Sequence, residues 1–410
     1  SASVPDRLDI RRRIRGMRAL RLPNRKKCCG CGACRASCPK GAIAMLPDEE
    51  GFLQPVVDAA KCVQCGKCEA VCPVLHPGKP RKPLAVYAAK AKDDELRWGS
   101  ASGGVFTVLA QDVLKRGGVV FGAGFERPTW RVIHKAATNE EELDDLRGSK
   151  YVQSDTGETF KEAKSYLDAG REVLYSGCPC QIAALKSFLG KDYPNLLTVD
   201  LICHGVPSPL AWRKYLDCRE EVVGARIRSI DFRRFCPWRN YDIAIGFEGD
   251  LAAYTKGKDS DPYMRMFLTF GYLRESCYQC GFRNLKSGAS ISVGDYFLIS
   301  RRRHDFDDDK GVSSLVVADL VGKAAFGRCE ALLNLSEVEY HDAKSDVDSL
   351  CKNPRKLRIR RFFYDKLQTH PFDASVRMAF ARRQTSLLIH LLWWCKRFVV
   401  NHEINIVRWR

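Results

Sequence analysis

The first 27 of these 410 residues lack an apolar h-region and carry ten Arg or Lys against two Asp, so export is not expected. The sequence also lacks an apolar run long enough for a bilayer, since the strongest one, from Leu387 to Val399, is short and interrupted by His390. A dinucleotide fingerprint is missing too, because Gly122-Ala-Gly124 leads to Arg127 where the third glycine should stand. No recognised nucleic-acid module accompanies the net charge of +18, so DNA or RNA binding is not expected. That charge sits at the two ends, with +8 on residues 1–27 and +11 on residues 351–410, which leaves −1 on the body. What the chain has in quantity is cysteine, 19 residues in all.

Eight of these form two runs of identical spacing, 34 residues apart. Cys28, Cys31, Cys34 and Cys38 precede Pro39, and Cys62, Cys65, Cys68 and Cys72 precede Pro73. Each reads C-x2-C-x2-C-x3-C-P, in which three thiolates cap one cubane and the fourth reaches the other cluster. Cys28, Cys31, Cys34 and Cys72 are therefore expected to hold one 4Fe-4S cluster, and Cys62, Cys65, Cys68 and Cys38 a second. Structural zinc uses paired C-x2-C knuckles instead. Disulfides do not suit a chain with no sign of export, so a reducing, cytoplasmic setting is expected. Cys29 reads as a bystander.

Composition is that of a soluble globular protein, with 45% hydrophobic and 28% charged residues. The expected organisation is a basic tail over 1–19, a ferredoxin unit over 20–78, a Pro-rich linker over 79–84, a large domain over 85–350 and a basic, partly helical tail over 351–410. Pro73, Pro77, Pro80 and Pro83 favour a semi-rigid, extended connector. In the last tail, Leu387, Leu391, Trp393, Trp394 and Phe398 beside Lys396 and Arg397 suit a membrane interface or a partner's groove. A helix docked on its own domain explains them equally well.

In the large domain, Ser100, Ser102, Gly103 and Gly104 run into Val105, Val108, Leu109 and Val113 at helical spacing. Small residues at a helix start leave N–H groups bare for a phosphate, although Ser102 also serves as a plain N-cap. Two buried strands, near Glu172–Ser176 and Leu196–Ile202, then run into Gly177-Cys-Pro-Cys180 and Cys203-His-Gly205. Carboxyl ends of strands in open α/β sheets are where ligands gather. With Cys277-Tyr-Gln-Cys280, the thiols of Cys180, Cys203, Cys277 and Cys280 have the makings of a further metal centre, iron-sulfur or zinc. Separate small core residues remain the alternative.

Together these pieces resemble the beta-subunit family of coenzyme F420 hydrogenases and dehydrogenases, which are iron-sulfur flavoproteins. The matching motifs run in family order from about residue 28 to 315: the ferredoxin unit, Ser100–Gly104, Gly148–Ser154, Tyr175–Ile182, Asp200–Pro207, Asp261–Met264, Cys277–Cys280 and Gly294-Asp295. The resemblance implies FAD in the large domain and a third 4Fe-4S cluster on Cys180, Cys203, Cys277 and Cys280. It makes Ser100, Ser102, Gly103, Gly104, Ser149, Lys150, Tyr151, Gln153, Ser154 and Asp295 the candidate flavin pocket. Lys150 is the candidate charge against a phosphate or reduced flavin. Cys178 stands where relatives commonly have Thr, and Tyr296-Phe297 replaces the usual Phe-Trp, so coenzyme F420 itself is not assumed as the acceptor.

The expected fold is an α+β two-cluster ferredoxin-like domain followed by a larger α/β flavin-binding domain with a helical basic tail. The expected function is oxidoreduction between ferredoxin-type clusters, FAD and a two-electron organic acceptor such as F420, with ferredoxin or a partner subunit as the other redox party. His204 is a candidate proton donor, or a group hydrogen-bonded near the cluster. The alternative function is a relay subunit without its own substrate.

Overall fold

The computed structural model describes residues 21–234, 238–342 and 351–383. The basic N-terminal tail, and the Trp- and Leu-rich segment on which membrane contact was expected, lie outside the described residues. Among those described, no helix is long and apolar enough to cross a membrane.

The small unit is a hairpin, β1 (Ile43–Pro47) and β2 (Leu53–Val57), flanked by two short cysteine-bearing helices, Ala33–Ser37 and Lys67–Ala70. Its turn is built by Asp48, whose Oδ1 accepts from the N–H groups of Glu50 and Phe52, both at 3.0 Å. Gly51 follows with φ +83°, and its bare Cα rests on Leu210 of the large domain, leaving no room for a Cβ.

The large domain has an eight-stranded mixed sheet. Its first strands in the chain are β3 (Ala85–Ala91), β4 (Val119–Glu126), β5 (Arg131–Ala137), β6 (Val173–Gly177) and β7 (Leu196–Leu201). A separate antiparallel sheet follows, made of β8 (Ile227–Arg234), β9 (Asp242–Phe247) and β10 (Tyr254–Gly257). The chain then returns through β11 (Ile291–Asp295), β12 (Ser313–Val317) and β13 (Leu333–Glu337). The order is β13-β3-β12-β11-β7-β6-β4-β5, with β11, β7, β6 and β4 parallel at the centre.

Those parallel strands are apolar on both faces, as a sheet covered on both sides requires. Leu174, Leu197 and Val199 face the helices Val105–Lys115 and Leu320–Cys329. Val173, Tyr175 and Leu196 face Thr159–Asp168, Pro179–Leu189 and the ferredoxin helix Ala33–Ser37. The ferredoxin unit thus packs as part of the second layer. A third, aromatic core joins Trp212, Tyr215, Tyr263 and Phe232 to Phe52 of the hairpin.

The boundary expected at residue 350 needs correction. Ile359, Phe363 and Leu367 of the helix Ile359–Leu367, with Phe372 and Val376 beyond it, are buried in that aromatic core. Arg360 reaches Glu50 at 2.9 Å and Glu275 at 3.2 Å, tying the ferredoxin hairpin to the body. The expected tail is therefore core at least through Ala379. The linker also lies on the body, with Arg81 bonded to the Ala289 carbonyl and 3.6 Å from Asp319.

Candidate iron-sulfur and thiol sites

Both short helices of the ferredoxin unit begin after a left-handed glycine, Gly32 at φ 79° and Gly66 at φ 73°, without a side-chain cap. The left-handed glycines let the chain turn sharply between successive cysteines of each run. Cys62, Cys65 and Cys68 line a hollow together with Cys38 of the other run. In the second set, burial pushes the Cys34 thiol up to about 12, and the neighbouring Cys28, Cys72 and Cys68 sulfurs act on it electrostatically. Cys38 thus lies beside the second run's thiols and Cys72 beside the first's. Among the described residues no three potential ligands converge on a single ion. A cubane offers each thiolate its own corner iron and needs no such point.

The large domain gathers its thiols at the carboxyl edge of the parallel strands. β6 ends at Gly177, and the Gln181 side chain then caps the Cys178 N–H at 2.9 Å to start the helix Pro179–Leu189. β7 ends just before Cys203, while Cys277 and Cys280 lie on and just after the 3-10 turn Glu275–Gln279. A cavity of about 280 Å³ is lined by Cys180, Cys203, Cys277 and Cys280, all four of the expected ligands. Burial pushes Cys277 up to about 12. Cys203 is drawn down to about 7, first by its hydrogen bond to Cys178, whose sulfur lies 3.8 Å away. Soft thiolates gathered in one cleft are a donor set suited to iron-sulfur or zinc.

Cys29 is no bystander. It is buried, lines the same cavity, and the Cys180 and Cys31 thiols act on its own. Arg274 also lines the cavity. Neither residue carries a local sequence signal: Cys29 interrupts a motif that is complete without it, and Arg274 reads as a surface charge.

The candidate flavin residues divide into two groups. Ser100 Oγ donates to Leu96 O at 2.8 Å, Ser102 Oγ to Val312 O at 3.1 Å, and the Gly103 N–H to Ser313 Oγ at 3.0 Å. Gly104, at φ 81°, opens the helix Val105–Lys115, whose N-terminus has no side-chain cap. Ser149 and Lys150 are half-buried on the adjoining loop, and Arg147 of that loop bonds Leu96 O at 2.9 Å. Lys150 Nζ donates to Asp145 O at 2.8 Å and Arg147 O at 2.6 Å. Burial of this ammonium lowers its pKa to about 7, against the pull of Asp145. The Tyr151 ring packs on Phe232 and Phe267.

Gln153 and Ser154 lie elsewhere, under the ferredoxin unit. Gln153 donates to Cys29 O at 2.9 Å, and Gln181 donates to Ser154 Oγ at 3.0 Å. Asp295, at the end of β11, pairs with Arg233 at 2.7 Å. His204 does not line the thiol cavity. Its ring sits between Phe267 and Phe270, with centroids at 4.7 and 4.3 Å, and burial lowers its pKa to about 4.

Two cysteine runs in a small unit, docked on a sheet with a further thiol cavity at its carboxyl edge, define the class as an iron-sulfur protein. Family models agree. Coenzyme F420 hydrogenase/dehydrogenase, beta subunit N-term, matches residues 86–161, and the corresponding C-terminus model matches 170–342. A 4Fe-4S dicluster domain matches residues 27–75. The chain belongs to the coenzyme F420 hydrogenase/dehydrogenase beta-subunit family and carries a 4Fe-4S dicluster domain at its N-terminal side. Among solved structures it is similar to a chain of the F420-reducing NiFe hydrogenase complex from Methanosarcina barkeri, at 18% identity and a TM-score of 0.44, over 68% of this chain and 97% of that one. A comparison with curated proteins finds no match.

Proposed function

We propose that this chain is an iron-sulfur flavoprotein oxidoreductase that passes electrons between the ferredoxin-type clusters and a two-electron organic acceptor such as coenzyme F420. The observation that carries the reading is that Cys29, within the first ferredoxin run, lines the four-thiol cavity, which sets the inner ferredoxin site against it. Clusters there would supply one-electron steps, and FAD their conversion to two-electron chemistry. Cys180, Cys203, Cys277 and Cys280 are the ligands proposed for a third cluster. The bare helix start after Gly104 and the Lys150 ammonium are the groups available to a flavin's phosphates. Reduced ferredoxin or a partner subunit is the other redox party, and the compartment is the cytoplasm.

A second reading, a relay subunit with no substrate of its own, is favoured by one observation. Ser100, Ser102 and Gly103 spend the donors named above on the protein itself. Iron, sulfide, zinc and flavin content of anaerobically purified protein separates the two. About twelve irons and one FAD per chain support the oxidoreductase. About eight irons without flavin leave the dicluster unit alone and favour the relay, and zinc at one per chain would reassign the cavity.

A further inference from the structure

Several buried arginines among the described residues have carboxylate partners. Arg97 pairs with Asp308, Arg219 with Asp373, and Arg360 with Glu50 and Glu275. Arg274 is 1% exposed and heads the largest fully buried side chains among the described residues. Its hydrogen-bond acceptors are all neutral: Nε donates to Cys28 O at 2.8 Å, Nη1 to Gln153 Oε1 at 2.9 Å, and Nη2 to Leu53 O at 2.9 Å. A desolvated cation costs several kcal/mol unless negative charge compensates it.

Arg274 reaches the backbone of the inner ferredoxin run and also lines the thiol cavity. Gly30, bare at φ +66°, leaves the space that its guanidinium fills beside the inner ferredoxin set. On the other side it lines the thiol cavity with Cys277, three residues along the chain. The guanidinium therefore stands between the inner ferredoxin run and the thiol cavity.

We propose that Arg274 is the shared counter-cation of the inner ferredoxin cluster and the cavity centre, and that it raises the reduction potential of both. The inference rests on the reading above that these two sites hold iron-sulfur centres. Net charge near a cluster and hydrogen bonds around its sulfurs set its potential, and a fixed cation favours the reduced form, which is one charge more negative. Arg274 touches no reacting atom; it is a positioning residue for charge. The outer set on Cys38, Cys62, Cys65 and Cys68 does not share the Arg274 contacts and provides an internal reference.

The test is a potentiometric titration of the full-length holoprotein, followed by electron paramagnetic resonance. In Arg274→Gln the reduced fraction of the inner and cavity centres should fall at least tenfold at fixed potential, about 59 mV for a one-electron couple, with the outer cluster unmoved. Arg274→Lys keeps the charge and should restore most of the shift. Gln153→Glu sets a carboxylate against Nη1 without emptying the site. It should move the same two centres the same way, and it stands in if Arg274→Gln does not fold. Unchanged potentials in folded variants with full iron, or equal movement of all three centres, would overturn the proposal. Eight irons in the unaltered protein would instead fail the three-centre reading, and the proposal would then stand or fall on the inner cluster alone.

Discussion

The two cysteine runs have one spacing, yet the sites they build live in different surroundings. The outer set includes Cys65, which is exposed, beside Val63 at 57% exposure and the exposed Lys40, Lys61 and Lys67. In the inner set Cys28, Cys31 and Cys72 are buried, and Cys31 belongs to the same core as Phe160, Tyr175 and Ile182 of the large domain. Spacing dictates how thiols face a cube. Docking of the unit on the sheet dictates which cube sees solvent and which sees Arg274 and the thiol cavity. An exposed site suits exchange with an external carrier, and a buried one suits transfer inward.

Substitution of one ligand at each end breaks the comparison most sharply. Cys65→Ser should cost about four irons and lower turnover with a protein electron donor by about 100-fold, while the thermal midpoint of the body barely moves. Cys72→Ser should also cost about four irons, but with a fall in thermal stability, because its cluster sits within the interface. Equal stability losses would show that burial of the inner site does not matter to the fold. Both are read by iron analysis, donor-specific assays and thermal melts.

The docking itself comes next. Phe52 is 1% exposed in the aromatic core of the large domain, so Phe52→Ala should cost about 3–5 kcal/mol in denaturant unfolding. Arg360→Met removes the cation buried between Glu50 and Glu275 and should cost about 1.5–3 kcal/mol, since Glu50 keeps Arg25 and Glu275 keeps Lys356. Since both residues act on the ferredoxin interface, each should loosen the inner site first, visible as faster loss of the inner cluster signal to a chelator. Loss of the outer signal first would contradict the contrast.

The same contrast marks what could be read from the sequence. The dicluster unit was legible because its cysteine pattern is local, a matter of spacing and a following proline. The strands before Cys178 and Cys203 were legible as short apolar runs, β6 and β7. The convergence of Cys180, Cys203, Cys277 and Cys280 was open from spacing alone and came forward through the family resemblance. Sheet order creates it, since β11 pairs with β7 across some 90 residues of intervening chain. Arg274 was not legible at all: its bond to Cys28 O spans 246 residues. The helix Ile359–Leu367 was misread as tail because its arginines dominate the composition. Its apolar positions, Ile359, Phe363, Tyr364 and Leu367, nevertheless follow the spacing of a buried helix face.

The smallest expected effect is a pH slope from the inner side. Asp200 is 3% exposed, lines the thiol cavity and accepts a hydrogen bond from Ser287. Burial raises its pKa from 3.8 to about 6, against the hydrogen bonds of Ser287 and Ser292. Between those values the folded protein holds the proton more tightly than the unfolded chain does. Stability should therefore fall as pH rises from about 4 to about 6 and stay level above, a loss of about 3 kcal/mol at most. Asp200→Asn should flatten that slope and leave the variant more stable than the parent above pH 6, as followed by denaturant unfolding across pH. An anionic centre in the cavity would push the Asp200 pKa higher still, so stripping the metal should move the slope toward lower pH. A slope that persists in Asp200→Asn would place the titrating group elsewhere. A slope that ignores metal removal would separate Asp200 from the cavity centre and weaken the claim that the inner region, unlike the outer one, is organised around buried charge.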